Sequence, residues 1–229
     1  SYNHNDVSLA KLIKKISKIE DIKRIRFTTS HPNDFDEELI SLFAEEPKLM
    51  PQLHLPVQSG SNKILKLMNR NHTRDDYLNL IERFRNKRSD IQFSSDFIVG
   101  YPGETDSDYK DTIDLVKKVG FSLSYSFIYS QRPGTPATNL EEISKEITKK
   151  RLEELQAILF KQQLEFNHLM INKENSVLFE NKTQDREQFF GRNQYMVPVF
   201  VKNDLIKAGE IKKIFIQNAN RNNLFGKLA

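Results

Sequence analysis

Residues 91–105 read IQFSSDFIVGYPGET, and this stretch decides the fold class. Its first nine residues are rich in β-branched and aromatic types, which predicts a strand over residues 91–99. The next four include two glycines and a proline and predict a turn. Thr105 and Asp108 then have the spacing of a capping box that begins a helix, which Gly120 ends. A strand that passes through a turn into a helix is the repeating unit of parallel α/β sheets.

The same unit recurs on both sides of this stretch. Asp34 and Glu37 have capping-box spacing before one helix, and Thr73 and Asp76 have it before another. Four strand–helix units imply parallel strands with right-handed crossovers, but they are too few to close an eight-stranded barrel. We therefore predict an α/β partial, TIM-like parallel barrel. The other predicted strands are residues 23–29, 52–57 and 121–129, and the other predicted helices are residues 35–46, 61–68 and 74–87.

Polar and apolar side chains alternate along the predicted strands. Parallel strands covered on both faces are normally apolar throughout, so this alternation is unusual. We expect the apolar set of each strand to pack on the helices and the polar set to line a hollow that holds a polar ligand. The alternative is an antiparallel sheet with one wet face, and the intervening helices argue against it. The apolar sets are Ile25 and Phe27; Leu53, Leu55 and Val57; Phe97 and Val99; and Leu123, Tyr125, Phe127 and Tyr129.

Several polar residues lie on this face or in the turns at the carboxyl ends of the strands, where open parallel sheets bind ligands. His54 is either a ligand or acid–base group or a hydrogen-bonded filler. Asp96, an acid within a strand, is either functional or part of a buried salt bridge. Arg70 and His72 either cap a helix or contact an anion. Arg132 lies in a proline-rich loop and either contacts phosphate or belongs to a simple chain reversal.

The last third of the chain changes character. Helical spacing of apolar residues over residues 140–170 predicts one long helix, after which the period becomes two. Five short strands within about 55 residues are typical of a small barrel of the oligonucleotide-binding (OB) type. These strands are predicted over residues 176–180, 189–191, 196–201, 210–217 and 224–228.

The net charge of +4 lies entirely in this last part. Residues 171–229 hold 10 Lys or Arg against 6 Asp or Glu, whereas residues 1–170 are balanced. A basic module suits a polyanion, although an excess of four charges is small. The candidate cations for phosphate contacts are Lys202, Lys207, Lys212, Lys213 and Arg221, and the candidate aromatic residues for base stacking are Phe189, Phe190, Tyr195, Phe200 and Phe215. We expect Phe200 and Phe215, which lie in apolar strands, to be core instead.

Composition excludes several classes of function. Among 229 residues there is no Cys, which excludes disulfides, thiolate zinc sites and Cys-ligated iron–sulfur clusters within this sequence. The sequence contains no run of 18 apolar residues, so we expect no transmembrane helix. The start has neither Met nor a signal-peptide pattern, so we expect a soluble, cytoplasmic protein and a fragment or processed chain.

Four strings, in this order and spacing, resemble the radical S-adenosylmethionine (SAM) methylthiotransferase family. The end of the chain resembles the TRAM domain of that family, a small OB-like β-barrel that binds tRNA. The first string favours the members that act on N6-isopentenyladenosine in tRNA over relatives that act on a ribosomal protein or on threonylcarbamoyl-adenosine. The strings are RFTTSHP (26–32), LHLPVQSGS (53–61), SSDFIVGYPGET (94–105) and SYSFIYSQRPGTPA (124–137).

The resemblance implies a fold, a reaction and two cofactors. The fold is a radical SAM partial barrel over residues 1–167, followed by a TRAM domain over residues 168–229. The reaction is methylthiolation of adenine C2 next to the anticodon of tRNA. It uses SAM and two [4Fe–4S] clusters whose cysteines, like the first two barrel strands, are absent here. This chain alone is then expected to be inactive, with an N-terminal portion of the same enzyme as a further partner and no membrane. The rival interpretation is a stand-alone or degenerate tRNA-binding protein without catalysis, or a methylthiotransferase with another substrate.

The resemblance also assigns roles by position. It places Gln58, Asp96 and the backbone of Val99 and Gly100 at the ribose and adenine of SAM, and Arg70 at its carboxylate. Thr28, in the first string, is a further candidate for the cofactor site. The catalytic residues stay unknown and no metal ligand is expected in this chain. The residues assigned to tRNA are Arg132, Lys202, Lys212, Lys213 and Arg221.

Overall fold

The structure is a computed structural model that describes residues 3–4, 7–28, 32–131, 137, 140–184, 187–203 and 206–229. The chain divides into two compact units, Ser1–Leu159 and Phe160–Ala229. No helix within the described ranges is both long and apolar enough to cross a membrane.

The first unit alternates strands and helices after a short N-terminal hairpin. That hairpin and the first helix after it were not predicted. The elements are β1 (Asn3–His4), β2 (Val7–Ser8), α1 (Leu9–Ser17), α2 (Glu37–Glu45), β3 (Gln52–His54), α3 (Asn62–Leu67), α4 (Arg74–Lys87), β4 (Gln92–Val99), α5 (Asp106–Val119) and β5 (Leu123–Ile128), followed by α6 (Lys145–His168), which continues into the second unit.

Strands β3, β4 and β5 form a parallel sheet in sequence order. Residues 23–28 run beside β3 but form only two single bridges, Ile25 with Leu49 and Thr28 with His54. The predicted first strand is therefore wrong as a continuous ladder, although its position next to β3 is as expected. The reason lies in β3, which is only three residues long and offers its neighbour few partners.

Helix capping explains which helix boundaries the sequence revealed. In α4 and α5, Thr73 with Asp76 and Thr105 with Asp108 form complete capping boxes, and Gly120 ends α5 at a φ of 65°. The predicted start of α2 is wrong, because a 3-10 turn occupies Pro32–Asp34. The cap is instead Asp36, whose Oδ1 accepts a hydrogen bond of 2.8 Å from the amide of Leu39. Asp36 therefore caps α2 in place of Asp34, the predicted capping residue two positions earlier.

The apolar core lies between the sheet and the helices. Leu53 and Phe97 are fully buried there, as alternation predicted. The prediction is wrong for β5, where Tyr125 pairs with Asp96 and Phe127 with Ile98, so these aromatic side chains share the open face of the sheet. Tyr125 is 52% exposed and Phe127 55% exposed. The open face is therefore polar on β3 and β4 and aromatic on β5.

The second unit is a closed five-stranded barrel. Its strands are β6 (Glu174–Lys182), β7 (Phe189–Asn193), β8 (Pro198–Val201), β9 (Ile211–Ala219) and β10 (Leu224–Leu228), and their order around the barrel is β10-β8-β7-β6-β9. The parallel sheet and this barrel confirm the predicted fold class.

Alternate residues of the barrel strands fill its interior. Val177, Phe179, Val199 and Ile214 are among the buried core residues. The prediction that Phe200 and Phe215 belong to this core is wrong, because both are half-buried and point away from it. Inward and outward positions alternate, and the inward ones are already taken by the neighbours of these two residues.

Candidate ligand site at the carboxyl ends of the strands

A polar network crosses the open face between β3 and β4. The side-chain amide of Gln52 donates to Ser94 Oγ at 2.9 Å, and the same Oγ lies 3.0 Å from His54 Nδ1. His54 Nε2 lies 3.4 Å from Asp96 Oδ2. Every group gains a partner if Ser94 donates to Nδ1 and the Nε2–H donates to Asp96. His54 is thus hydrogen-bonded to Ser94 and lies beside Asp96, and whether it also acts as a ligand or acid–base group stays a prediction.

Gln58 follows β3 in a conformation that few non-glycine residues adopt. Its φ is 72°, and its backbone bridges β4 through two bonds of 2.9 Å, from its amide to the carbonyl of Asp96 and from the amide of Ile98 to its own carbonyl. Left-handed backbone in a bulky residue costs free energy and persists only where its surroundings require it. Here it turns the side chain of Gln58 toward the same space as Asp96.

Arg70 reaches this space through the C-terminus of α3. The helix ends in a Schellman motif, in which Asn69 has a φ of 56° and the amide of Arg70 bonds to the carbonyl of Leu65 at 2.9 Å. Burial lowers the pKa of the Arg70 guanidinium and the charge of Asp96 opposes that shift. The guanidinium remains a cation at neutral pH, so a positive and a negative group face one cavity.

These side chains line a cavity of about 960 Å³. The lining combines the polar side chains of Gln58, Arg70 and Asp96 with a larger set of apolar and aromatic side chains. A carboxylate accepts hydrogen bonds from hydroxyl groups, a guanidinium pairs with a carboxylate, and aromatic walls take planar rings. The cavity therefore suits a ligand that is part nucleoside and part amino acid. Its other lining residues are Lys66, Leu67, Met68, Asn69, Ile98, Tyr101, Phe127, Ile128, Tyr129, Ser130 and Ala137.

Three of the predicted cofactor residues do not line this cavity. Thr28 is exposed and its backbone bridges His54. Val99 is fully buried, and its carbonyl accepts a bond of 2.9 Å from the amide of Tyr129. The amide of Gly100 donates to Glu104 Oε2 at 2.9 Å. The structure thus brings Gln58, Asp96 and Arg70 together and leaves Thr28, Val99 and Gly100 outside the lining.

Tyr101 and Tyr129 also line the cavity, and sequence reasoning did not select them as site residues. Their ring centroids are 4.8 Å apart in an edge-on arrangement, and the Tyr101 hydroxyl donates to the carbonyl of Leu67 at 2.9 Å. Burial and then the neighbouring Tyr129 raise the pKa of Tyr101, so its phenol stays neutral. The alternating aromatic residues 125–129 were the signal that could have found Tyr129. The prediction had assigned these aromatic residues to the helix-covered face.

A buried ion pair supports the loop after β4. Arg151 of α6 bonds to Glu104 Oε2 at 2.7 Å and to Asp106 Oδ1 at 2.6 Å, and its side chain is 7% exposed. A methyl group on Gly100, whose φ is 73°, would come within 2.4 Å of Thr148 Cγ2. The loop after β4 is therefore packed against α6 and held by Glu104, which fixes its backbone beside the cavity.

The cations assigned to tRNA lie in different places. Lys202, Lys212 and Lys213 lie at the same end of the barrel, because the end of β8 and the start of β9 meet there. Each lysine has an acidic neighbour: Glu187 at 3.5 Å, Glu210 at 3.6 Å and Glu174 at 3.4 Å, respectively. Arg221 lies at the opposite end, in the β9–β10 turn, with its guanidinium 3.9 Å from the ring centroid of Phe160. Arg132 falls outside the described residues. Lys227, which sequence reasoning missed, is exposed at the same end as Lys202.

The residues of this chain do not fit an iron–sulfur cluster. The sequence has no Cys, and the described residues contain no group of three His, Cys, Asp or Glu side chains able to hold a metal ion. Any cluster that acts together with this chain therefore needs ligands from another segment. The polar groups of the cavity, in contrast, match the hydroxyl and carboxylate groups of SAM.

Comparison with known proteins places this geometry in a family. The model of the Radical SAM superfamily matches residues 2–116, half of the chain. The chain belongs to the radical SAM superfamily. The model of the TRAM domain matches residues 168–229, the barrel of this radical SAM chain.

Curated relatives agree with the methylthiotransferase resemblance. Three of them carry the name tRNA-2-methylthio-N(6)-dimethylallyladenosine synthase. The protein of Orientia tsutsugamushi (strain Boryong) is 51% identical over 99% of this radical SAM chain and 51% of its own length. Those of Paracoccus denitrificans and Wolbachia pipientis wMel are each 49% identical, over 96% and 95% of this chain and 49% and 50% of their own lengths. The chain spans about half the length of the relatives it matches.

A solved structure supports the fold alone. Coproporphyrinogen III oxidase from Escherichia coli, described as a radical SAM enzyme, superposes with a TM-score of 0.55 at 19% identity. The match covers 72% of this radical SAM chain and 39% of the oxidase. At this identity the likeness carries no statement about substrate.

Proposed function

We propose that this chain is part of a tRNA methylthiotransferase that modifies C2 of N6-isopentenyladenosine next to the anticodon. The observation that carries the proposal is the convergence of Asp96, Arg70 and Gln58 on one cavity that aromatic side chains also line. The names of relatives about 50% identical over nearly the whole chain give the reaction. The cluster cysteines would come from a segment that these 229 residues do not contain.

Each residue of the cavity has a task in this proposal. Asp96, oriented by His54, accepts hydrogen bonds from the ribose hydroxyls of SAM, and Arg70 pairs with the carboxylate of its methionine part. Gln58 offers an amide to the same nucleoside, and the aromatic wall excludes water from it. SAM, when bound, supplies the oxidising radical and the methyl group of the reaction. The second unit binds the tRNA and the basic end of its barrel contacts phosphates.

A chimaera tests this function. This chain is joined to the remaining half of the Orientia tsutsugamushi relative, its clusters are reconstituted, and nucleosides of the treated tRNA are analysed by mass spectrometry. We expect the methylthio product, and we expect Asp96→Asn to raise the KM for SAM at least tenfold while Asp111→Asn, a half-exposed carboxylate of α5, changes nothing. A chimaera that holds clusters and SAM but forms no product would favour the tRNA-binding protein without catalysis.

A further inference from the structure

Three phenylalanines form one row across the outside of the barrel. Phe190 of β7 pairs with Phe200 of β8, and Phe200 pairs with Phe225 of β10. The centroids of the first two rings are 5.4 Å apart, and those of the second two are 5.9 Å apart with 26° between the ring planes. The register of three strands therefore sets three rings side by side as a continuous aromatic surface, which we call the aromatic row.

The aromatic row is not part of the barrel core. The residues next to it along the strands, Phe189, Val199, Val201 and Leu224, point inward and are buried. Each ring of the row is instead half-buried. Contiguous exposed apolar surface on a soluble unit costs free energy in water and commonly marks a binding site. Three adjacent rings at matched strand positions are an arrangement of this kind.

Cations flank the row on the same outer face. The Arg192 guanidinium lies 4.8 Å from the centroid of the Phe190 ring and also pairs with the carboxylate of Glu180 on β6. Lys202 and Lys227 follow Phe200 and Phe225 by two residues, so strand alternation puts them on the outer face too, and both are exposed. Arg192 lies beyond one edge of the row and the two lysines beyond the other, because β7 runs antiparallel to β8 whereas β10 runs parallel to it.

We propose that the aromatic row stacks unpaired bases of RNA while Arg192, Lys202 and Lys227 hold the adjoining phosphates. Aromatic rings that alternate with cations are the recognition surface of single-stranded nucleic acid, since every base has a π-face and every nucleotide a phosphate. Three strands about 4.8 Å apart span about 10 Å, room for two or three stacked bases. A protein partner fits less well, because two of the three flanking cations are exposed lysines, a residue type that is depleted in protein interfaces.

This inference rests on the proposed function for the identity of the RNA and deepens it. Phosphate contacts alone would bind paired and unpaired tRNA segments alike. The aromatic row adds a preference for a segment whose bases are free, such as a loop. The second unit would then select an open loop, as well as supplying positive charge.

Binding by the full 229-residue chain tests the proposal. Fluorescence anisotropy compares an RNA hairpin with an open loop and a fully paired RNA duplex of equal phosphate number, at fixed salt. We expect the chain to prefer the hairpin, and we expect Phe200→Ala to weaken hairpin binding about tenfold, which is about 1.4 kcal/mol, with little effect on the duplex. Phe200→Tyr keeps a ring and should retain the affinity.

Two further variants separate stacking from folding. Phe200→Leu keeps apolar volume but has no π-face, so it should bind the hairpin as weakly as Phe200→Ala while its circular dichroism spectrum stays that of the parent. Leu169→Ala is the control, because Leu169 is an apolar residue of the second unit that is 65% exposed and lies outside the barrel strands. A 2-aminopurine in the loop should be quenched by the parent and by Leu169→Ala, and not by Phe200→Leu.

Several outcomes would overturn the row as a base-stacking site. If the parent binds the hairpin and Phe200→Leu binds it equally well, the proposal is wrong while RNA binding by the second unit stands. Equal affinity of the parent for hairpin and duplex would also overturn it, as would a concentration-dependent dimer that Phe200→Leu abolishes. If the parent binds neither the hairpin nor the duplex, both the proposed function and the base-stacking proposal are wrong.

Discussion

Asp108 ties two segments of the first unit together at one buried carboxylate. Its Oδ1 accepts from the hydroxyl of Ser61 at 2.6 Å, and its Oδ2 accepts from Lys63 Nζ at 3.1 Å and from the amide and hydroxyl of Thr105 at 2.9 and 2.7 Å. Burial favours the neutral acid, but these donors outweigh it and hold the pKa of Asp108 well below its usual range. The turn that opens α3 and the cap of α5 therefore share one charge.

We expect Asp108→Asn to lower the free energy of unfolding by about 2 kcal/mol at pH 7, because it removes hydrogen bonds to a buried charge. A depressed folded-state pKa gives stability that is present above the unfolded value of about 3.9 and is lost as pH falls below it. The gap between parent and variant should then narrow as pH drops from about 5 to 3. Urea titrations across this range measure it. Glu82→Gln, an exposed carboxylate of α4, is the control, and a pH-independent gap would contradict the expectation.

The Glu104–Arg151 pair leads to a second expectation for a single residue. Their side chains are 1% and 7% exposed, so Glu104→Gln leaves the guanidinium of Arg151 buried with less compensation. We expect a loss of about 3 kcal/mol in unfolding free energy, against less than about 0.5 kcal/mol for Glu153→Gln, whose pair with Lys149 is exposed at 3.8 Å. Similar losses for the two variants, measured in urea at pH 7, would show that the buried pair does not stabilise the loop after β4.

At the scale of elements, β5 differs from β4 in which side chains the protein covers. Phe97 of β4 is fully buried against Phe121, with ring centroids 5.4 Å apart, whereas Phe127 of β5 is 55% exposed on the cavity wall. We expect Phe97→Ala to cost about 3–5 kcal/mol of unfolding free energy and Phe127→Ala less than about 1 kcal/mol. Thermal and urea unfolding of both variants measure the difference. A large loss of unfolding free energy for Phe127→Ala would instead support the original prediction that Phe127 packs on the helices.

The elements also show what could be predicted from sequence. The bounds of α4 and α5 followed from capping boxes, whose donors and acceptors are all local in sequence. Which side chains of β5 face the helices could not be predicted in this way. Alternation shows that the two faces of a strand differ, but it does not show which face meets the helices. That choice depends on the register with β4, a contact between residues about 30 positions apart. The same limit explains why residues 23–29 were predicted as a strand, although residues 23–28 form only two single bridges.

At the scale of the molecule, the polar half of the cavity was predictable and its aromatic half was not. Asp96 and Arg70 were candidates already as polar residues in a strand interior and a turn, where such residues need a reason, and the family resemblance added Gln58. Phe127 and Tyr129 look like core residues in a sequence, since exposed and buried aromatic residues have the same spacing. Phe200 was misassigned for the same reason. Aromatic residues at a binding surface become visible only when the structure shows which face is covered.

The boundary between the units leads to the last expectation. A division at residue 167/168 was predicted, and the TRAM model also begins at residue 168. Yet the barrel uses residues before it: Asn167 is buried and its side-chain amide donates to the carbonyls of Asn220 and Arg221 at 2.9 and 2.8 Å. The ring of Phe166 packs edge-on against Tyr195 at 5.3 Å, and Phe160 lies under Arg221. The last turns of α6 therefore cap one end of the barrel.

We expect a fragment of residues 160–229 to fold cooperatively and a fragment of residues 168–229 to be less stable by at least about 2 kcal/mol. The shorter fragment loses two aromatic contacts and the two hydrogen bonds that the Asn167 amide donates to the carbonyls of Asn220 and Arg221, each worth about 1 kcal/mol. Urea unfolding followed by circular dichroism compares the fragments, and Asn167→Ala in the longer one isolates the hydrogen bonds. Equal stability would mean that the barrel is complete from residue 168 and that α6 adds nothing to it.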